Sequence, residues 1–292
     1  MILIDPPTWP AHGTVFSHLV SDRSRAELHE FALRSQLPAR AFDRDHYDVA
    51  EQWYDQLLGA GAVPVSAREL VTRLRASGLR RTKQTVARER AGRIEELRHA
   101  WQELDLGAPG LRDRLLADWG ARSRRYRDQQ HLAEALAAIS LLTPHPSREL
   151  RLAVWFHDAV YAGEPGADEE ASAQLAEQSL SGLLPSGPVA EVARLVRLTA
   201  SHAAAGEDTD GMVLNDADLS ILAADPERYA GYTAGVRAEY HHVPPAQFVR
   251  GRTAVLEDLL GRDRLFATAR GRELWEESAR HNLQAELSGL RR

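Results

Sequence analysis

The 292-residue chain contains no cysteine and a single lysine, Lys83. The first absence excludes disulfides, thiolate nucleophiles, Cys-ligated iron–sulfur clusters and cysteine-built zinc sites, so any metal has to be held by His, Asp and Glu. The second leaves lysine-nucleophile or Schiff-base chemistry one candidate, in a stretch that reads as a linker, and that chemistry is set aside. No apolar run reaches the ~18 residues a membrane span needs, and Met1-Ile-Leu-Ile-Asp-Pro-Pro lacks the basic-then-apolar layout of a signal peptide. A soluble, cytoplasmic protein without a membrane partner is expected. A Gly-rich phosphate fingerprint is also missing, which argues against a dinucleotide domain.

What is present is enough for two domains with real cores: 43% of residues are hydrophobic. The net charge of −6 argues against a general polyanion binder. One stretch, 68–93, is basic, with nine positive residues against Glu69 and Glu89. It reads as a solvated helix face or linker, and contact with a nucleic-acid backbone is the less favoured reading.

Residues 1–80 alternate between strand and helix signals. Strands are expected at 2–4, 41–42 and 62–65, and helices at 24–37, 50–58 and from a capping box at Ser66-Ala-Arg-Glu69. This alternation predicts a small parallel α/β domain. Beyond Leu79-Arg-Arg81 the period becomes helical. A charged helix over 86–106 reads as a connector, and further helices are expected at about 110–119, 125–142, 148–161, 168–183, 187–203, 215–224, 226–240, 245–260 and 268–289, punctuated by Gly and Pro. The fold class is thus α/β plus all-α, with domains at 1–82 and 97–292 and a helical connector at 83–96.

The dipeptide His157-Asp158 closes the apolar stretch Leu152-Ala-Val-Trp-Phe-His-Asp-Ala-Val-Tyr161. Burying an imidazole beside a carboxylate is costly unless something satisfies both, and a cation does. Adjacent residues of a helix stand about 100° apart, so they can share one ion but cannot complete its shell. Partners must come from other helices. The candidates are His131, at the start of a helix, and Asp216 and Asp218, which read as opening another. His202 closes a helix in Leu198-Thr-Ala-Ser-His202.

This ordered H…HD…D pattern in a helical setting resembles the HD superfamily of metal-dependent phosphohydrolases. The stretch from about 97 to the end is similar to a bacterial branch of predicted HD-type phosphohydrolases. The similarity is carried by Trp155-Phe-His-Asp-Ala-Val-Tyr161, Asp168-Glu-Glu-Ala-Ser-Ala173, Asp216-Ala-Asp-Leu219, Val236-Arg-Ala-Glu-Tyr240, Phe248-Val-Arg-Gly-Arg252 and Ala279-Arg-His-Asn-Leu283. The resemblance implies His131, His157, Asp158 and Asp218 as metal ligands, with Asp216 the competing aspartate. It implies a divalent ion (Mn, Fe, Mg, Co, Ni or Zn; the ligand types do not choose), a metal-activated water and a phosphate-ester substrate, plausibly of a nucleotide.

The chain departs from that pattern twice. Relatives carry a second histidine four residues before the first ligand, where this chain has Arg127, whose fork of donors suits a phosphate. Many carry a Glu three residues after the Asp, where this chain has Tyr161. Glu169, Glu170 or Asp216 are the candidates for the acid/base role instead, and Arg127, His202 and Arg237 are those for holding substrate. The rival reading is a non-catalytic HD fold that binds a nucleotide or other phospholigand and regulates.

The opening Ile4-Asp-Pro-Pro-Thr-Trp9 resembles a bacterial domain family of unknown function over about residues 1–80. From the residues alone, 6–22 reads as a long polar loop after the first strand. Asp5, His12, His18, Asp43 and His46 make a candidate site for metal or phosphate, weighed against a hydrogen-bonded network that holds the loop.

Overall fold

A computed structural model of the chain describes residues 1–38, 41–164, 166–201 and 206–291. These form two compact units. One comprises residues 1–89 and 225–253 with the C-terminal end of the chain, and the other residues 90–224 and 254–288. The stretch 225–253 therefore groups with the first unit. Among the described residues no helix is long and apolar enough to cross a membrane.

The first unit is built on six strands: β1 (Ile2–Ile4), β2 (Trp9–Ala11), β3 (Thr14–Ser21), β4 (Phe42–Asp43), β5 (His46–Ala50) and β6 (Val63–Pro64). Their order is β4-β5-β3-β1-β6, with β2 also pairing β3. The sheet is α/β as expected, but it is not parallel. β1 runs parallel to β6, and every other pairing is antiparallel. The reason lies in the supposed polar loop, which is a hairpin. His12 and Gly13 join β2 to β3 with φ of 50° and 79°, the two positive values that a two-residue type I′ turn demands. The strand-by-strand helix crossover that a parallel sheet needs is thereby lost at its first step.

Alternation along the strands sends side chains to two cores. Ile2, Ile4, Leu19, Tyr47 and Val49 pack with Leu28, Phe31 and Leu57, from α1 (Arg25–Arg34) and α2 (Tyr54–Gly59). Leu3 and Val20 point the other way and meet Leu70 and Leu74 of α3 (Ala67–Ala76). Ser66 caps α3 by accepting from Glu69 N at 3.2 Å, as its sequence suggests. Glu227 binds Arg25 through the backbone N at 2.7 Å and Nε at 2.9 Å. Part of the basic stretch is engaged within the unit: Arg73 pairs with Asp22, Arg80 with Asp45 and Arg81 with Glu89.

The second region is helical. The helices after α3 are α4 (Lys83–Gln102), α5 (Pro109–Trp119), α6 (Gln129–Leu142), α7 (Arg148–Phe156), α8 (Ala167–Leu180), α9 (Ser186–Leu198), α10 (Thr209–Leu219), α11 (Pro226–Glu239), α12 (Pro245–Gly261) and α13 (Ala269–Leu290), of which α11 and the start of α12 group with the first unit. The core of the second unit draws Trp101, Trp119, Leu132, Ile139, Trp155, Phe156, Val196 and Leu214, among others, into one cluster. Asp128, Ser147 and Asp208 cap α6, α7 and α10 by accepting from backbone N–H groups of the first turn. Two boundaries matter for function. α7 stops at Phe156, so His157 is its C-cap and Asp158 lies beyond it, and Asp216 and Asp218 end α10 rather than open a helix. The start signal is Asp208, about two turns earlier than the sequence reading placed it.

In the first unit His29 is buried, with Nδ1 2.8 Å from the Tyr47 hydroxyl and its ring 4.4 Å from that of Phe42. Burial, with the charge of Arg25 adding to it, pushes His29 from 6.5 down to about 4. Between those values the unfolded chain takes up a proton that the folded chain refuses. Stability is therefore full above about pH 6.5 and falls as pH drops toward 4, by up to about 3 kcal/mol at ~1.4 kcal/mol per pH unit. The variant His29→Gln, which keeps a polar partner for Tyr47 but cannot titrate, is expected to flatten this part of the acid sensitivity. Urea midpoints at pH 7 and 4.5 check it, and an unchanged difference between the two pH values would refute it.

Candidate metal centre

Three helix ends bring the buried polar residues of the second unit together. Asp128 accepts from Gln130 N at 2.8 Å and His131 N at 3.3 Å, which starts α6 so that His131 lies on the face of Leu132, Ala135 and Ile139. The His131 Nδ1 lies 3.3 Å from the Tyr126 hydroxyl. At the end of α7, His157 Nδ1 donates to the Val154 carbonyl at 2.8 Å. A carbonyl can only accept, so this bond leaves Nε2 of a neutral His157 as the lone pair.

Both Nε2 atoms face one point. They stand 3.1 Å apart, and Asp218 Oδ1 is 3.0 Å from that of His131 and 3.6 Å from that of His157. Asp158 Oδ2 is 3.6 Å from His157 Nε2 and 3.9 Å from His131 Nε2. Donors bound at ~2.1 Å to one ion are separated by about 3.0 Å across a right angle and about 3.4 Å across a tetrahedral edge. The donor set, two imidazoles and two carboxylates, and its spacing both fit a divalent cation. His131, His157 and Asp218 in particular form a group that could hold a metal ion. Burial pushes His157 down, but Asp158, Asp218 and the Val154 carbonyl overcome it and lift the imidazole to about 9, so the pocket stabilises positive charge.

Residues to which the sequence reading gave no role hold this geometry. Arg124, itself buried, donates to the carbonyls of Asp158 and Ala159 at 2.7 Å each and of Arg127 at 3.0 Å, pinning the turn after α7. Its guanidinium lies over Trp119, whose indole donates to the Trp155 carbonyl at 3.0 Å. Asp168 accepts from the backbone of Ala162, Gly163 and Glu164 at 2.7–3.0 Å and shapes the following loop. Asp168 heads the acidic motif already noted at the start of α8, whereas Arg124 carries no signal beyond its charge in a short turn.

The other nominated residues fall as follows. Arg127 joins the cluster, with Nε 2.7 Å from Asp158 Oδ2 and its guanidinium over the Tyr161 ring. Asp216 does not: it accepts from Ala267 N, Thr268 N and Thr268 Oγ1 at 2.6–2.8 Å and so anchors the start of α13. Gly271 is required there, because a Cβ would come within 2.4 Å of Asp216 Oδ2. Glu169 caps α8 through Gly166 N, and Glu170 is held by Arg197 and Gln174. Arg237 lies in the first unit, where it donates to the carbonyls of Tyr240 and Val243 and stacks on Phe248. His202 lies outside the described residues. In the first unit Asp5, His18 and His46 come together, whereas His12 sits in the hairpin turn and Asp43 pairs with Arg44.

Residues 2–77 match the model of a family described as a protein of unknown function (DUF4031). Neither the curated proteins nor the solved structures give a match to this chain. The first domain thus has a shown relationship that carries no activity, and the helical region is interpreted from its own geometry.

The variants His157→Ala and Asp218→Ala are each expected to lower the metal content by one ion per chain. Asp216→Asn should retain that ion yet lose about 1–3 kcal/mol of stability, because the α13 anchor is weakened. Elemental analysis with thermal melts checks the contrast. Loss of the ion in Asp216→Asn with retention in Asp218→Ala would exchange the two roles.

Proposed function

We propose that the helical region is an HD-type metal-dependent phosphohydrolase that cleaves a phosphate ester, with nucleotides as the substrate class to try first. The observation that carries this reading is the convergence of His131, His157, Asp158 and Asp218, in the order the family resemblance requires, with donor spacings that suit one ion. These four residues would hold the metal. A divalent ion bound there supplies Lewis acidity toward phosphoryl oxygens and a water acidic enough to ionise near neutral pH.

The chain's own groups account for the rest. Tyr126 and the Val154 carbonyl orient the two imidazoles, and Arg124 keeps the Asp158 turn from opening. Arg127 is about one-third exposed and carries its charge beside the centre, where its guanidinium would orient a phosphate. Such a contact made in ground and transition states alike contributes to binding more than to the chemical step.

One observation favours the second reading, a regulatory HD fold that binds a phosphorylated ligand without turning it over. All three acids nominated for proton transfer, Glu169, Glu170 and Asp216, are engaged elsewhere. Under the enzyme reading the proton from the attacking water must be taken by a ligand carboxylate, Asp158 or Asp218, or by solvent.

A metal-supplemented screen of nucleotides and phosphate monoesters, read as phosphate release, tests the choice. The enzyme reading expects Asp158→Ala to lower kcat/KM by about 10³-fold or more. It expects Arg127→Ala to raise KM about 10-fold or more, with a smaller effect on kcat. Saturable binding of a nucleotide to the metal-loaded protein with no phosphate released would establish the regulatory reading instead.

A further inference from the structure

The first unit carries a second constellation with the marks of a metal site. Register pairing sets His18 of β3 directly opposite Asp48 of β5. His46, two residues before Asp48 on the same strand, projects from the same face. Donor atoms of these three residues all lie within 4.8 Å of one another. Asp48 Oδ1 is 3.4 Å from His46 Nε2 and 3.9 Å from His18 Nε2.

The other nitrogen of each ring is already committed. His18 Nδ1 lies 3.0 Å from Asp5 Oδ2, and His46 Nδ1 lies 2.8 Å from Asp45 Oδ1. Both outer carboxylates are buried, and each is fixed in turn. Asp5 takes a bond from the Trp9 indole at 3.3 Å, and Asp45 takes Arg80 Nη1 at 3.0 Å and Arg81 N at 2.6 Å. A carboxylate behind an imidazole holds Nδ1 as the donor and aims the Nε2 lone pair outward, the arrangement that proteins use to orient metal-binding histidines. Here it occurs twice, and both rings turn toward the same third carboxylate.

A hydrogen-bonded network that only held the hairpin would be satisfied by the Nδ1 contacts. Ion pairs of protonated His46 and His18 with Asp48 are the competing account of the Nε2 convergence, but both separations, 3.4 and 3.9 Å, exceed the ~2.7–2.9 Å of a charge-assisted hydrogen bond. We infer that His18, His46 and Asp48 bind one divalent first-row transition metal, with Asp5 and Asp45 orienting the two histidines. Two imidazoles and one carboxylate select this class over Mg²⁺ or Ca²⁺, which prefer oxygen. Asp48 is about half exposed, so the three ligands come from one sheet face and the far side opens to solvent. Three protein ligands with open positions is the pattern of a metal that meets a small ligand, in contrast to a closed four-ligand structural site.

The inference is independent of the proposed phosphohydrolase and is tested apart from it. Full-length protein carrying His157→Ala, or Asp218→Asn should the former fail to fold, is loaded with Co²⁺ and read by visible absorption and titration calorimetry. About one Co²⁺ per chain is expected to remain. His46→Gln and Asp48→Asn added to that background should abolish the spectrum. Asp5→Asn should weaken binding about 10- to 100-fold, the usual effect of losing a carboxylate behind a ligand histidine. His12→Ala should change nothing. Circular dichroism confirms that each variant is folded. No Co²⁺ in the parent, or an unchanged spectrum in folded His46→Gln and Asp48→Asn, overturns the assignment.

Discussion

Two imidazole nitrogens 3.1 Å apart in a protein interior impose a condition on everything around them. With both presenting lone pairs, a cation, whether proton or metal, has to stand between them. Asp158 and Asp218 supply the negative charge that makes this favourable. The helices contribute too. His157 caps the C-terminus of α7 and Asp218 lies in the last turn of α10, so the negative ends of two helix dipoles lie beside the cluster. The N-terminus of α6 opposes them through His131 alone. Burying these groups is costly, and much of the surrounding structure lowers that cost: Arg124 on the Asp158 turn, Trp119 against His157, and Asp168 on the loop that follows.

Most of this architecture was legible in the residues. The helical punctuation follows Gly and Pro, and the boundaries of α5, α11, α12 and α13 fall within a residue or two of where those residues place them. The capping box at Ser66 behaves as written. What could not be read is equally specific. The β2–β3 hairpin has Pro10 in one short strand and a turn whose first residue is His12, not the Asn or Asp that usually signals φ above zero. Without that turn the strands at 2–4 and 62–65 look like successive members of a parallel sheet. They do pair in parallel, but the interposed hairpin makes the sheet mixed.

The sites show the same division. His131, His157, Asp158 and Asp218 were all nominated by type and order, and they meet in space. Choosing between Asp216 and Asp218 was not possible from spacing. On a helix they stand about 200° apart, and which side faces the cluster depends on what the opposite side must hold. Here the opposite side holds the start of α13. In the first unit Asp5, His18 and His46 were candidates, while Asp48 and Asp45 were not. Asp48 becomes visible as a partner only through the β3–β5 register, and Asp45 only through the ring nitrogen it faces.

Arg127 limits what the helical centre can hold. Its guanidinium is within ion-pair distance of Asp158, and the charges of Asp158, most strongly, and of Asp218 raise its pKa well above the ordinary arginine range. With neutral histidines the two aspartates carry −2, and Arg127 brings the local sum to −1. One divalent ion makes it +1, whereas a second would make it +3 in a buried site, where unbalanced charge is costly. A fixed monocation in this position thus does the work of partial neutralisation that a second metal would otherwise do, and it does so without offering a ligand. If the helical centre binds metal as proposed, its charge balance accordingly favours a single ion over two, with Arg127 as the permanent neighbour.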